Sequence, residues 1–235
     1  MILKNIKLVI FDLDGVLLDT ERISTNCWME AFEKFGYRLD FDVAAKEIGS
    51  NNSNRESYYK DLFGNDLPYV KIKDLYSKTL FESIKNDKNL LKKGAIEILD
   101  YLDLKKIKKA VASSSCKERV TESLKAANIF DRFDMILSGD DVDKCKPDPE
   151  VHIKIYQQLK VNINDTIIIE DSDIGAEAAY NANIKYVLIP DLKKIPSNWI
   201  NRCYAVKKNL YELFIWVKSL LGTTVQKADF FYIIE

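Results

Sequence analysis

Residues 6–19 read IKLVIFDLDGVLLD, and the reading of this stretch decides the fold. From Ile6 to Phe11 only Lys7 interrupts the aliphatic and aromatic side chains. Such a run fits a strand buried on both faces, as inside a parallel sheet. Asp12 and Asp14 follow at its carboxyl end, where open α/β sheets place their chemistry. Two carboxylates this close repel unless a cation or a shared proton holds them. Asp-Gly is also a common turn dipeptide, so a solvated turn and a reactive acid pair both fit these residues taken alone.

The acids reappear later. Residues 166–169, TIII, run directly into Glu170, Asp171, Ser172 and Asp173, followed by Ile174, Gly175 and Ala176. If the two apolar strands are neighbours, their acids face one small volume. A hard divalent cation such as Mg²⁺ takes oxygen ligands and suits such a cluster. Helix capping accounts for Ser172 or Asp173 but not for Glu170 and Asp171, which follow a buried run at once. Gly175, Ala176, Ala178 and Ala179 are small enough to let the next helix approach the sheet.

Two more loops offer what an anion needs. The strand at 107–112 ends in Ser113, Ser114 and Ser115, where hydroxyls and the N–H groups of a helix start form an anion site. Lys146 lies in CKPDP, a loop stiffened by Pro147 and Pro149, and its ammonium can neutralise phosphate or the gathered carboxylates. Singly, these are an ordinary serine cap and an ordinary surface lysine. Four such loops after core strands make a site.

Around these motifs the chain divides in two. Residues 21–36 carry Ile23, Cys27, Ala31, Phe32 and Phe35 at helical spacing, with Gly36 as a stop. From 41 to 89, polar breaks at 49–54 and 64–68 flank the helix-favouring segments 56–63 and 69–84, with no strand-like run. Residues 19–89 are therefore expected to form a helical insert of about 70 residues, within the size range of a small domain. Residues 90–94 are its return hinge. The core is expected from 1–18 and 90–235. There, helices at 95–104, 117–127, 150–159, 174–180 and 210–221 alternate with strands at 107–113, 133–137, 166–169 and 186–189. That alternation predicts an α/β fold, a right-handed parallel sheet flanked by helices. Residues 230–234 read as an edge strand or a packed extension. Trp28, Phe32 and Phe35 are expected in the core of the insert.

Composition narrows the function. The chain has 235 residues, 47% hydrophobic and 30% charged, with net charge −1. This is a globular balance with no bulk attraction to nucleic acid or to an acidic membrane. The basic cluster of Lys105, Lys106, Lys108 and Lys109 reads as a solvated helix end running into a strand. No apolar run approaches the roughly 20 residues that cross a bilayer. The four cysteines form no CxxC pair and, with no secretory signal, read as reduced thiols of a cytoplasmic protein. The single histidine, His152, lacks a partner at ligand spacing and reads as structural or surface. A monomer acting on a small molecule is expected.

The motifs together resemble the haloacid dehalogenase-like superfamily of phosphatases and phosphomutases. DLDGV at 12–16 matches its first motif, Ser113 its second, Lys146 in KPDP its third, and EDSDIGAEAA at 170–179 its fourth. The resemblance covers residues 6–190 and is nearest to the β-phosphoglucomutase-like phosphatases, whose Rossmann-like core carries an α-helical cap. Cys145 stands where a glycine usually precedes the lysine. Asn183 replaces a glycine that usually ends the helix, a tolerable exchange because asparagine accepts left-handed geometry.

The resemblance implies roles. Asp12 is the nucleophile that forms an aspartyl-phosphate, and Asp14 protonates the leaving alcohol and then deprotonates water. Mg²⁺ is held by Asp12, the Asp14 backbone carbonyl and Asp171, with Glu170 a further ligand or an outer acid. Ser113, Ser114 and Lys146 bind the phosphoryl oxygens. Dehalogenases of the superfamily lack the second aspartate, so Asp14 favours phosphoryl chemistry. Related mutases carry a histidine about twelve residues after the nucleophile, where this chain has Ser24, so hydrolysis is favoured over mutase activity. A non-catalytic binding protein would be expected to have lost a motif residue, and none is lost. Substrate choice is expected from Glu21, Asn51, Asn52 and Arg55 of the cap, which suit a hydroxylated anion such as a sugar phosphate.

Overall fold

The fold is given by a computed structural model that describes residues 5–46 and 52–221, apart from the side chains of Asn52 and Ser53. Strand β1 (Leu8–Phe11) lies inside a six-stranded sheet of order β3-β2-β1-β4-β5-β6. Its neighbours are β2 (Lys108–Ala112) and β4 (Thr166–Glu170), and β3 (Met135–Leu137), β5 (Lys185–Leu188) and β6 (Ala205–Val206) complete it. Every pairing is parallel.

Strand alternation divides the core into two layers. Val9, Phe11, Val111, Ile167, Ile169 and Val187 face one side of the sheet. Helices α5 (Ala95–Leu104), α6 (Lys117–Ala126) and α10 (Leu210–Leu220) cover that side with Leu99, Leu102, Leu124 and Leu213. Leu8, Ile10, Ala110, Ile168 and Leu188 face the other, where α7 (Glu150–Gln158) and α8 (Asp173–Asn181) supply Val151, Ile155, Ala176 and Ala179. A strand buried on both faces has no polar side, which is why β1 and β4 read as unbroken apolar runs. A short α9 (Ser197–Ile200) precedes β6.

Among the described residues, the elements between β1 and α5 are all helices: α1 (Thr20–Lys34), α2 (Phe41–Lys46), α3 (Asn52–Phe63) and α4 (Tyr69–Asn86). The chain leaves and returns through two connections held side by side. Asp19 N–H donates to Leu90 O at 2.8 Å and Lys92 N–H to Leu17 O at 2.9 Å. Lys92 Nζ also bridges Asp19 and Asp191. α1 packs on α4, with Trp28 stacked on Tyr76 at 3.9 Å between ring centroids. α4 in turn packs on α6 of the sheet layer.

Most expected elements match within two residues at each end. Two side chains and three short segments differ. Lys109 is only 2% exposed and ion-paired with Asp103, so it is no solvated lysine; β2 carries it into the sheet, where Asp103 and the Asp134 carboxylate near its backbone compensate it. Phe35 is 36% exposed because α1 ends at Lys34 and turns the ring outward, whereas Trp28 and Phe32 are buried as expected. The short α2, α9 and β6 have too few residues to show a period. Asn183 takes φ 56°, as its identity suggested. The expected strand at 230–234 lies outside the described residues, as does Asn51. Among the described residues no helix is long and apolar enough to cross a membrane.

Candidate active site

Register brings the motifs together. Phe11 pairs with Val111 on one side and Ile169 on the other, so Asp12 emerges between Ala112 and Glu170. Asp12 N–H donates to Ile169 O at 2.9 Å and fixes the first turn beyond the strand. One carboxylate oxygen each of Asp12, Glu170 and Asp171 falls within 4.8 Å of the others. Gly15, at φ +86°, lets the loop press against Asp171; a Cβ there would collide with Asp171 Oδ2.

Lys146 is the cation inside this acid group. Its Nζ donates to Asp12 Oδ1 at 2.7 Å, Glu170 Oε1 at 2.6 Å and Ala112 O at 2.8 Å. All three N–H groups are thus engaged on protein acceptors, and the lysine neutralises the gathered carboxylates. Burial disfavours its charge, but Asp12 and Glu170 outweigh that and raise its pKa. Asp12 and Asp171 remain well above the usual carboxylate range, first through burial; Glu170 and Asp14 raise Asp12 further despite Lys146 beside it, and Asp12 and Glu170 raise Asp171. One ammonium does not balance three buried acids. The residual negative charge and the oxygen-only donor set fit a hard divalent cation.

Glu170 is saturated by its surroundings. Besides Lys146, it accepts from Asp171 N–H at 3.2 Å and the Ser172 hydroxyl at 3.3 Å. Ser172 caps α8 by accepting from Gly175 N–H at 3.0 Å. Gly175 has no Cβ because the Glu170 carboxylate occupies that space.

Asp14 points elsewhere. Its Oδ1 accepts from the Thr20 hydroxyl and from Arg119 Nη2 at 2.9 Å, and its Oδ2 from the Ser115 hydroxyl at 2.8 Å. Burial alone would raise its pKa, but the Arg119 guanidinium and these hydrogen bonds hold it below the usual range. The first two acids therefore have opposite surroundings: Asp12 faces other acids, Asp14 faces donors.

A cavity of about 500 Å³ opens above these residues. Its floor includes Asp12, Asp14, Ser113, Lys146 and Asp171, and its far wall comes from α1, α3 and α4 through Ser24, Trp28, Arg55 and Tyr76. Ser113 is buried and accepts from Ser115 N–H at 3.1 Å, while Ser114 is exposed at the rim. Glu21 lines the same space, and burial, reinforced by Asp14, pushes its pKa up to about 7. Arg55 lies over the Trp28 ring at 5.5 Å. Asn52 opens α3, and its side chain lies outside the described residues. Ser24 bonds the Tyr76 hydroxyl at 2.8 Å. His152 is fully buried on α7, within the other core layer.

The structure places Asp12, Ser113, Lys146, Glu170 and Asp171 side by side, and around Asp14 it adds partners that the sequence does not announce. Ser115 is expected in the anion loop, but its hydroxyl donates to Asp14 instead. Thr20 opens α1 and looks like a helix start. Arg119, in the polar run CKER, reads as a solvated helix residue, and no local pattern distinguishes it.

A family model described as haloacid dehalogenase-like hydrolase matches residues 9–189. A phosphorylated carbohydrates phosphatase of Thermotoga maritima is 32% identical over 189 residues, which are 76% of this chain and 82% of that protein. Among solved structures, a HAD family hydrolase of Deinococcus radiodurans R1 with bound phosphate and sodium superposes with a TM-score of 0.79 at 22% identity. The match covers 92% of this chain and 97% of that one. A β-phosphoglucomutase of Clostridium difficile superposes at 0.72 with 23% identity, covering 92% and 97%. Hydrolase and mutase thus share this fold, and the fold alone does not separate them.

Proposed function

The chain belongs to the haloacid dehalogenase-like hydrolases, and from that premise we propose that this phosphoric monoester hydrolase acts on a small sugar phosphate through an aspartyl-phosphate on Asp12. The observation that carries this reading is the meeting of Asp12, Glu170, Asp171 and Lys146 at adjacent strand ends beneath one cavity. The named activity of the Thermotoga maritima relative supports a sugar phosphate as substrate.

In this reading an Asp12 carboxylate oxygen attacks phosphorus, and the bond to the leaving oxygen breaks. Asp14 gives that oxygen a proton. Asp14 then takes a proton from the water that attacks the aspartyl-phosphate, which releases phosphate and restores Asp12. Ser113, Ser114 and Lys146 hold the phosphoryl oxygens, with Lys146 exchanging a carboxylate contact for the phosphate. Asp12, the Asp14 carbonyl and Asp171 would hold Mg²⁺, and Glu170 orients Lys146 and Asp171 from behind. The ion when bound supplies charge neutralisation between the anionic nucleophile and the anionic ester. Residues 19–89 act as a cap over a core of 1–18 and 90–235, and Glu21, Asn52 and Arg55 are its proposed substrate contacts.

Hydrolysis rather than mutase activity is favoured by the cap side of the cavity. Ser24 occupies the wall where related mutases carry a histidine, and its hydroxyl is engaged by Tyr76. A panel of phosphorylated sugars ranked by kcat/KM with phosphate release as readout tests the reading. Conversion of β-glucose 1-phosphate to glucose 6-phosphate without phosphate release would replace it with the mutase.

A further inference from the structure

Arg119 is the feature of the cavity that the phosphatase chemistry does not use. It stands on α6, at the contact with α4, so its guanidinium lies between the acid floor and the cap wall. Its side chain is three-quarters buried. It donates one hydrogen bond, from Nη2 to Asp14 Oδ1, and its buried Nε has no hydrogen-bond partner among the described residues.

Asp14 has other donors besides Arg119. Thr20 and Ser115 already donate to its two oxygens, one each. A guanidinium presents five N–H donors in a planar fork that matches a carboxylate or phosphate face-on. Arg119 leaves at least its Nε donor unmet in a buried place, where an unmet donor is costly. The cap wall adds Arg55, Lys73 and Lys85 to the same cavity. Beside these cations the same lining carries Glu21, Glu118 and Glu122, and Arg119 is the wall cation that reaches the floor acid Asp14.

We propose that Arg119 is a specificity residue of this cavity: it binds a second anionic group, a carboxylate or a further phosphate, carried on the leaving portion of the substrate, and it rests on Asp14 when that group is absent. A sugar hydroxyl can accept one neutral hydrogen bond from this guanidinium, whereas a second anion would accept charge-assisted ones and match its charge. The inference rests on the phosphatase reading, in which that second group belongs to the leaving portion of the substrate.

Binding is compared in matched pairs: glucose 6-phosphate against 6-phosphogluconate for a carboxylate, and fructose 6-phosphate against fructose 1,6-bisphosphate for a phosphate. Calorimetry on the Asp12→Asn protein measures affinity without turnover. The doubly anionic member of at least one pair should bind about tenfold to a hundredfold more tightly, the scale of a charge-assisted contact. Preference in one pair alone identifies the anion. In Asp12→Asn/Arg119→Leu the preference should collapse, and Arg119→Lys should keep part of it as a point charge. The Lys exchange also covers a Leu variant that fails to fold. In the wild-type enzyme, Arg119→Leu should lower kcat/KM for the preferred double anion about tenfold more than for p-nitrophenyl phosphate. Equal affinities within both pairs, or a preference that survives loss of Arg119, would overturn the inference. Absence of p-nitrophenyl phosphate hydrolysis by the wild type would instead overturn the phosphatase reading, while the binding comparison still decides the role of Arg119.

Discussion

Gly15 and Asp171 approach so closely that the glycine has no room for a Cβ: the added carbon would overlap Asp171 Oδ2. Backbone at φ +86° makes the same demand, since L side chains rarely occupy that region. The two strand-end loops are therefore packed backbone against carboxylate. Gly15→Ala should cost about 1–3 kcal/mol of stability from strain alone. It should also lower kcat by displacing Asp171, which urea denaturation and p-nitrophenyl phosphate turnover would measure together. A variant with wild-type values in both would show that the approach is not needed.

Lys146 stabilises as well as positions. Its side chain is 4% exposed, and its ammonium stands between Asp12 and Glu170, whose side chains are 12% and 1% exposed. Lys146→Met removes the charge while keeping the volume. It leaves two buried acids facing each other, and breaking such a pair costs about 3–5 kcal/mol. A urea midpoint at neutral pH should fall accordingly, with activity lost.

Cation binding should be visible without turnover. An ion that binds only the folded chain stabilises it by about 2.7 kcal/mol at a hundred times its dissociation constant. MgCl₂ should therefore raise the melting temperature of the wild type. Asp171→Asn should remove most of that rise, and EDTA should reverse it. A rise that persists in Asp171→Asn would place the ion elsewhere.

His152 gives a pH dependence separate from the active-site acids. It is fully buried, and burial, aided by the Lys146 charge, depresses its pKa well below the usual value. The folded chain therefore keeps it neutral while the unfolded chain protonates near pH 6.5. Above about 6.5 both states hold the same number of protons and the group contributes no slope. Below it the unfolded state binds one more, so stability falls by about 1.4 kcal/mol per pH unit down to the folded-state pKa. His152→Leu should show a shallower loss than the wild type between pH 6.5 and 5 in denaturation curves. Parallel curves would mean that His152 is charged in the fold.

The parts of the molecule readable in the sequence are those whose constraint is local and repeated. β1 and β4 are buried on both faces and read as unbroken apolar runs that stop at acids. α4 repeats Ile72, Tyr76, Leu80 and Ile84 at helical spacing. Lys109 was misread because its compensation comes from Asp103 on α5, and nothing within β2 announces it. Arg119 reaches Asp14 across more than a hundred residues, and the pairing of β1 with β2, which sets α6 beside the loop after β1, makes the pair. The floor of the site was legible as motifs, and the charge arrangement above it was not.

Asp12 as nucleophile is the centre of the account. Phosphate release from p-nitrophenyl phosphate, measured with MgCl₂ for the wild type and for Asp12→Asn, tests it most directly. The account predicts metal-dependent release by the wild type and a loss of about a thousandfold or more in Asp12→Asn, since the amide neither attacks phosphorus nor carries the intermediate. Release by Asp12→Asn at the wild-type rate would contradict it.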